Sequence, residues 1–468
     1  MNSAPTGLYI TADHLLSTSG LIHDAAMIAD GDGVILAVGA ANTLPRSPDL
    51  EHRHYTGLML PGAVNTHSHA FQILLRGKSD AARDFRDWVD NYMYALALSA
   101  DSEDLRLGAE LAFAEMLRNG ITTVGEFFYV HNGPAAPACA DLGNENALLT
   151  VAAARRCGLR IHLLRTVYDR AARHGQQRFY EPATTAVERT RELALATSDM
   201  ADVTVGIAPH SLHGASADGI QAAAEYAAET GQPFQIHIAE EEHDLAFARA
   251  EYGTTPGRAL EKLGVVSDRL VVVHGCWLDT EEIEMLGNAR AGCAYNPISN
   301  MALGDGITDT EAMVRAGVTI GLGCDGPCAN HQVNLWQEAR FAEWLQRVDK
   351  RRMNVLGPAA ADHAETVNYP FEMATSNGGH VLGIPVGKLA PGYWADAVVV
   401  DPHDLSLLPH HNLDPAALLN NVVNSMAARG AVRDVIVGGD EVMRDGRLTR
   451  IDEAELAARG AAWQFGEA

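Results

Sequence analysis

Eight short β-rich runs recur between residues 58 and 326, and each is followed by a longer segment with helical periodicity. This alternation is typical of repeated βα units around a parallel sheet. Eight consecutive units predict an α/β fold whose strands close into a (β/α)8 TIM barrel. The runs are LMLPGAVNTHSH from Leu58, TTVGEFFY from Thr122, RIHLLRTVY from Arg160, VTVGIAPHS from Val203, PFQIHIAE from Pro233, LVVVHG from Leu270, AGCAYNP from Ala291 and TIGLGCDG from Thr319.

The segments between these runs have the pattern of amphipathic helices. At 105–120 and 218–231, for example, apolar residues stand three and four positions apart and a glycine ends the segment. Apolar residues at this spacing lie on one face of a helix, and glycine often terminates one. We therefore expect a helix after each strand, packed on the outside of the barrel.

The two ends of the chain have a different pattern, with short strands joined by Gly- and Asp-rich turns. Neither end is long enough to bury its own apolar face, so we expect both to combine in one small β-sandwich. The predicted domains are 1–57 and 386–468, the two parts of this composite β-sandwich, and 58–385, the barrel.

The formal net charge of −25 argues against binding to nucleic acid or to an anionic membrane surface. The chain has no run of 18 apolar residues, and its N-terminus lacks the basic flank and apolar stretch of a signal peptide. We therefore expect a cytoplasmic protein whose partner is a small-molecule substrate.

An imidazole or a carboxylate stands at the end of five predicted strands. Each has an ordinary explanation by itself, since paired histidines are common, a lone histidine is often a core residue and an aspartate often caps a helix. Together at the rim of one barrel they would be unsatisfied polar groups unless a cation organised them. These residues are His67 and His69, His210, His237 with Glu240, His274, and Asp325.

Three neutral imidazoles and one carboxylate suit zinc best, with Fe²⁺ or Mn²⁺ as alternatives, and they leave a position for water. A second ion in such barrels usually needs a bridging ligand, typically a modified lysine, at the end of the fourth strand. That strand ends in APHS at 208–211, without a lysine. We therefore expect one metal ion.

A zinc ion lowers the pKa of a bound water toward 7 and so yields hydroxide at neutral pH. Glu240 stands three residues after His237, where it could take the water proton and pass it to a substrate nitrogen. His274 and Asp325 would orient the hydroxide and relay its second proton to a leaving amine. This chemistry is hydrolytic deamination of an amidine-type carbon.

The motif series PGAVNTHSH, HIAE, VVHG, NPISNM and GLGCDG resembles the amidohydrolase superfamily, in its branch of metal-dependent deaminases. ADAVVVD near Asp396 is similar to the C-terminal β-domain motif of that family. The resemblance implies zinc ligation by His67, His69, His237 and Asp325, and catalytic roles for Glu240 and His274. It also implies a homo-oligomer.

Within that branch, HSHAFQ, FYVH, APHSL and HIAE resemble the N-formimino-L-glutamate deiminases. Those enzymes typically have an arginine after HSL to pair with the substrate carboxylate, and this chain has His213 there. LLRG and NPISNM are instead shared with the S-adenosylhomocysteine deaminases and their relatives, which include the guanine deaminases. The candidate substrate-binding residues are Gln72, Arg76, Tyr129, His210 and His213, whereas for Trp88 ordinary packing is the favoured interpretation.

The leading hypothesis is a zinc-dependent aminohydrolase that releases ammonia from a nucleobase-like or pterin-like ring or from a formimino compound. The second hypothesis is hydrolysis of another leaving group on the same scaffold, such as chloride or alkylamine from a triazine. A third is a non-catalytic assembly protein, which the retention of every ligand position argues against.

Overall fold

The computed structural model describes residues 7–134, 139–171, 173–356, 368–426 and 431–465. Its strands are β1 Gly7–Ser17, β2 Gly20–Asp30, β3 Ile35–Ala40, β4 Glu51–Pro61, β5 Ala63–Ser68, β6 Ile121–Phe128, β7 Arg160–Val167, β8 Val203–Pro209, β9 Phe234–Ile238, β10 Leu270–His274, β11 Gly292–Tyr295, β12 Thr319–Leu322, β13 Ala397–Val400, β14 Val432–Val437, β15 Asp440–Arg444 and β16 Arg447–Leu448.

The α-helices of the described residues are α1 Phe85–Trp88, α2 Tyr94–Ser99, α3 Ser102–Arg118, α4 Glu145–Cys157, α5 Ala183–Ala196, α6 Ala217–Thr230, α7 Glu242–Tyr252, α8 Pro256–Lys262, α9 Thr280–Asn288, α10 Pro297–Leu303, α11 Thr310–Ala316, α12 Pro327–Asn330, α13 Leu335–Lys350, α14 Tyr369–Ala374, α15 Ser376–Leu382, α16 Pro415–Ser425 and α17 Glu453–Ala462. A π-helical turn, Val89–Met93, joins α1 to α2. Short 3₁₀ segments span Ala70–Leu75, Ser79–Ala81, His174–Arg178 and Leu405–Leu407.

Strands β5 to β12 form one parallel sheet in which neighbours in the chain are neighbours in space. The sheet curls until its first and last strands meet. A β-bridge between Ser68, at the end of β5, and Asp325, just beyond β12, marks the closure. At this closure the Asp325 backbone N–H donates to the His67 carbonyl oxygen at 3.0 Å. All eight strands that the sequence predicts are present, and the TIM-barrel fold class is confirmed.

Local sequence signals explain where the barrel helices begin and end. Helix α3 begins with a capping box, in which the side chain of Asp101 accepts from the backbone N–H of Asp104 and the Asp104 side chain accepts from that of Asp101. Helix α6 is capped at its start by Ser216, whose hydroxyl accepts from the N–H of Gly219, and at its end by Gly231, which has a φ of 73°. That left-handed conformation costs glycine little because it lacks a Cβ.

The strands of the two chain ends form a second, mixed sheet in the order β16-β15-β14-β13-β4-β1-β2-β3. β4 lies at its centre, parallel to β1 and antiparallel to β13, and so joins the N-terminal strands to the C-terminal ones. The two ends therefore combine in one β-structure, as the sequence predicts, and its strands belong to a single mixed sheet. The predicted boundary between residues 57 and 58 lies within β4, and the domain division stays a prediction.

A buried ion pair connects this terminal sheet to the barrel. Arg160, the first residue of β7, donates from Nε and Nη2 to the two carboxylate oxygens of Asp396, at 2.9 and 3.1 Å. The Arg160 guanidinium also lies 4.1 Å from the ring centroid of Trp394.

None of the helices in the described parts of the chain combines the length and apolar character needed to cross a lipid bilayer.

Candidate metal centre and catalytic site

The side chains that the sequence analysis singles out lie at one rim of the barrel. His67 and His69 are at the end of β5, His237 is in β9, His274 is the last residue of β10, and Asp325 follows β12 by three residues. Parallel strands of a barrel all point the same way, so their carboxyl ends surround a single opening. All five residues are buried.

Three of these imidazoles bring one nitrogen each to a common point. The Nε2 atom of His67 lies 3.2 Å from Nε2 of His69 and 3.1 Å from Nε2 of His237. Two nitrogens held by one tetrahedral zinc ion at a bond length of 2.0–2.1 Å are about 3.3 Å apart. The spacing of the three nitrogens therefore fits a metal ion.

The opposite nitrogen of each of these three rings donates a hydrogen bond to an oxygen. The acceptors are Gln235 Oε1 for His67 at 3.1 Å, the Phe127 carbonyl for His69 at 3.0 Å and the His210 carbonyl for His237 at 2.8 Å. Because the proton is then on Nδ1, each Nε2 carries a lone pair. Burial lowers the pKa of all three imidazoles, so they are neutral at pH 7, as metal ligation requires.

The Asp325 carboxylate supplies a negative charge beside the three imidazoles. Its Oδ1 lies 3.4 Å from His69 Nε2 and 3.7 Å from His67 Nε2, and its Oδ2 accepts from the Ser299 hydroxyl at 2.5 Å. Burial raises the pKa of Asp325, but the neighbouring imidazoles and the hydroxyl together lower it to about 2. The residue is therefore ionised, and its φ of 54° is a strained value of the kind that occurs at functional sites.

His274 has the opposite arrangement of hydrogen bonds. Its Nδ1 faces the side-chain amide nitrogens of Asn300 at 2.8 Å and Asn296 at 3.4 Å, so it accepts there and carries its proton on Nε2. Nε2 lies 3.4 Å from Oε1 of Glu240. The ligand atoms of Glu240, His274 and Asp305 lie within 4.8 Å of one another. A cation held by this second trio would need a lone pair on Nε2 of His274, which the amide donors at Nδ1 disfavour.

Glu240 reaches the cavity because the chain turns sharply after β9. Ala239 has a φ of 50°, and the Glu240 backbone N–H donates to Oδ2 of Asp244 at 2.9 Å. Burial, and after it the nearby carboxylates of Asp305 and Asp325, raises the pKa of Glu240 well above its usual value. A raised pKa makes the ionised carboxyl group a stronger base toward water, and the carboxyl group can then pass the proton to a substrate.

A sequence model of the amidohydrolase family matches residues 58–442, most of the chain. The chain belongs to the amidohydrolase family. This membership confirms the resemblance that the motif series predicts, and it makes the protein a hydrolase that acts on carbon–nitrogen bonds.

Several relatives of this amidohydrolase are deaminases by name. It is 32% identical to 5-methylthioadenosine/S-adenosylhomocysteine deaminase 1 of Archaeoglobus fulgidus over 85% of each chain. It is 28% identical to the 5'-deoxyadenosine deaminase of Methanopyrus kandleri over 93% of each chain. Among solved structures, an adenosine deaminase from Xanthomonas campestris with bound zinc superposes with a TM-score of 0.83 at 25% identity, over 98% of each chain. The zinc in that structure and the cluster described above support a metal cofactor in this amidohydrolase.

The cavity of the amidohydrolase opens beside this cluster and is lined largely by aromatic side chains. Among the lining residues that the structure describes, none is a lysine or an arginine. The larger apolar and aromatic side chains include Phe85, Trp88, Met93, Tyr94, Tyr168 and Phe179. Such a surface suits a flat heterocycle better than an anionic group.

Four of the five candidate substrate-binding residues line this cavity: Gln72, Tyr129, His210 and His213. The amide of Gln72 donates to the Tyr129 hydroxyl at 2.9 Å, which fixes both side chains relative to each other. His213 Nδ1 lies 3.4 Å from Oδ1 of Asp244. The Asp244 carboxylate beside this imidazole disfavours the approach of a second anion.

The structure does not bring Arg76 into the cavity. This residue follows the 3₁₀ segment Ala70–Leu75, and its guanidinium pairs with Glu115 of α3 at 2.7 Å. The motif LLRG places the arginine beyond the strand end, but only the path of the chain shows that it turns toward α3.

Sequence reasoning missed several residues of the site. Trp88, for which packing was the favoured interpretation, lines the cavity, as does Asp244. Ser299 and Asn300 contact Asp325 and His274, respectively. The motif NPISNM was a usable signal for these last two, whereas the aromatic residues of the segment after Lys78 give no pattern that points to the cavity.

Proposed function

We propose that this chain is a mononuclear, zinc-dependent deaminase that hydrolyses the exocyclic amino group of an adenosine-type substrate and releases ammonia. His67, His69, His237 and Asp325 hold the metal ion. One observation carries the proposal: three Nε2 lone pairs and an ionised carboxylate converge beside a pair, Glu240 and His274, that can move protons.

When bound, the zinc ion makes water acidic enough to act as a nucleophile at neutral pH. Glu240 accepts a proton from the attacking water and donates it to the ring nitrogen of the amidine. His274 donates a hydrogen bond from Nε2 to the attacking oxygen. Asp325 accepts the second proton and passes it to the amino group, which leaves as ammonia. The net reaction consumes one water and exchanges the amino group for an oxygen.

An adenosine-type substrate is favoured over a formimino amino acid for two reasons. The relatives reported above are deaminases of adenosine derivatives by name. Formiminoglutamate carries carboxylates that need a cationic partner, and the described cavity lining has no arginine or lysine. His213 is a poor replacement for that partner, because the Asp244 carboxylate beside it repels a second anion.

Loss of chloride or alkylamine from a triazine is the second candidate reaction. A leaving amine must be protonated, whereas chloride needs no proton, so the Glu240–His274 pair favours release of an amine over release of chloride. A non-catalytic assembly role would not require three neutral imidazoles and an ionised carboxylate arranged to hold a metal ion.

The test is ammonia release by the zinc-loaded protein. The panel comprises 5'-deoxyadenosine, 5'-methylthioadenosine, adenosine, guanine, a pterin, formiminoglutamate and a chlorotriazine. We expect the adenosine derivatives to have the highest kcat/KM. Turnover of the chlorotriazine or of formiminoglutamate alone would contradict the proposal, and a His237→Ala variant controls for contaminating deaminases.

Metal analysis tests the proposed single ion. Strand β8, the fourth of the barrel, ends without a lysine that could bridge a second ion, so we expect one zinc per chain. Two ions per chain would refute the mononuclear site. A homo-oligomer stays a prediction, which light scattering of the purified protein checks. A cytoplasmic location also stays a prediction.

A further inference from the structure

The motif NPISNM is followed by a further buried carboxyl group, which the proposed mechanism does not use. Asn300 is in α10 and is 1% exposed, and Asp305 follows that helix and is 3% exposed. The backbone N–H groups of Gly304 and Asp305 both donate to the Asn300 carbonyl oxygen, at 3.1 and 3.0 Å. The end of the helix thereby brings the side chains of Asn300 and Asp305 together.

The amide nitrogen of Asn300 lies between two acceptors. Nδ2 is 3.0 Å from Oδ2 of Asp305 and 2.8 Å from Nδ1 of His274. An amide nitrogen has two hydrogens, one for each of these contacts. Burial raises the pKa of Asp305 to about 8, yet both forms of the carboxyl group keep an oxygen that accepts from Asn300.

We infer that Asp305 is a positioning residue, which orients the Asn300 amide so that His274 is held as its Nε2–H tautomer and donates toward the reacting groups. The partners of the ring decide its tautomer, because nothing in an imidazole ring itself fixes the proton on one nitrogen.

Two further contacts favour the same tautomer. Asn296 presents its own amide nitrogen to Nδ1 of His274, at 3.4 Å. On the other side of the ring, Nε2 faces Oε1 of Glu240 at 3.4 Å, an acceptor. The backbone of His274 is also fixed, since the Thr308 hydroxyl donates to its carbonyl oxygen at 2.8 Å.

Asp305 has one competing role, as a ligand of a second cation with Glu240 and His274. That role needs a lone pair on Nε2 of His274, which is the tautomer opposite to the one inferred here. The two roles therefore make opposite predictions for the same atom.

The decisive variant exchanges the two side chains, Asn300→Asp with Asp305→Asn. It keeps the shapes and the net charge, but a carboxylate now faces Nδ1 of His274 and draws the proton there. The matched control is Asp305→Asn alone, which keeps a carbonyl oxygen that can accept from Asn300.

We expect the exchanged variant to bind one zinc and to keep its KM within about threefold, while kcat falls about 10²- to 10⁴-fold. The upper figure is the loss seen when a catalytic histidine of a serine protease is held in the wrong tautomer. The control is expected to lose less than tenfold. The inference would be overturned if the exchanged variant kept a kcat within threefold of that of the unaltered protein. It would also be overturned if the unaltered protein bound a second metal ion per chain and Asp305→Leu lost that ion.

A spectroscopic arm needs no substrate. In zinc-loaded protein with ¹⁵N-labelled histidine, the Nε2 signal of His274, assigned with a His274→Asn variant, should be that of a protonated nitrogen in the parent and of an unprotonated one in the exchanged variant. The kinetic comparison rests on the proposed function, whereas the ¹⁵N measurement does not depend on any activity. An unprotonated Nε2 in the parent refutes the inference even if the protein deaminates adenosine, and absent turnover with the expected signals refutes only the proposed function.

Discussion

At the scale of residues, the histidines of this site differ by which ring nitrogen bears the proton. His67, His69 and His237 donate from Nδ1 to oxygens, so their Nε2 atoms can bind a metal. His274 accepts at Nδ1, so its Nε2 donates instead. The four residues look alike in the sequence, and only their partners separate ligands from a proton-donating group.

Glu240→Gln tests the proton carrier. The amide keeps the size of the side chain but neither takes a proton from water nor passes one to the substrate, so we expect turnover to fall by several orders of magnitude with one zinc still bound. Steady-state kinetics and metal analysis check this together. Glu241→Gln is the matched control, because it changes the adjacent carboxylate, and near-normal activity of the Glu240 variant would refute the assigned role.

At the scale of elements, a buried ion pair forms part of the contact between the barrel and the terminal sheet. Arg160 of β7 and Asp396, which precedes β13, have 6% and 0% exposed side chains. The backbone N–H of Gly438 donates to the same carboxylate at 2.6 Å. Removal of one partner leaves the other charge buried and unpaired, which is the costly way to break such a pair.

Asp396→Ala is therefore expected to lower the free energy of unfolding by about 3–5 kcal/mol. Denaturant titration measures the loss, and the double variant Arg160→Met/Asp396→Ala should recover part of it because no unpaired charge remains. The exposed pair Arg191–Glu229 provides the control, since Glu229→Ala should cost less than about 1 kcal/mol. An equally small effect of Asp396→Ala would contradict this account of the contact.

At the scale of the whole molecule, the proposed metal ion joins opposite sides of the barrel. His67 and His69 belong to the first barrel strand, His237 to the fifth, and Asp325 follows the eighth. An ion that binds only the folded arrangement stabilises it in proportion to its affinity and concentration.

Chelation of the metal should consequently lower the Tm by several degrees, and zinc in slight excess should restore it. At a free zinc concentration 1,000 times the Kd, the stabilisation is about 4 kcal/mol. Differential scanning calorimetry measures the shift, and a His67→Ala/His237→Ala variant should show none. A Tm that does not respond to zinc in the unaltered chain would count against the site.

The eight βα units, the combination of the two chain ends in one β-structure, and the residue types at the strand ends could be predicted from the sequence. These follow from periodicity and short motifs, which are local. The tertiary structure alone decided that Arg76 turns away to Glu115, that Trp88 lines the cavity, and which nitrogen of each histidine is free. The oxygen that fixes His69 is 58 residues away in the chain and the one that fixes His67 is 168 residues away, so no local pattern records them. Folding brings these acceptors to the rings, and that proximity sets where each proton resides.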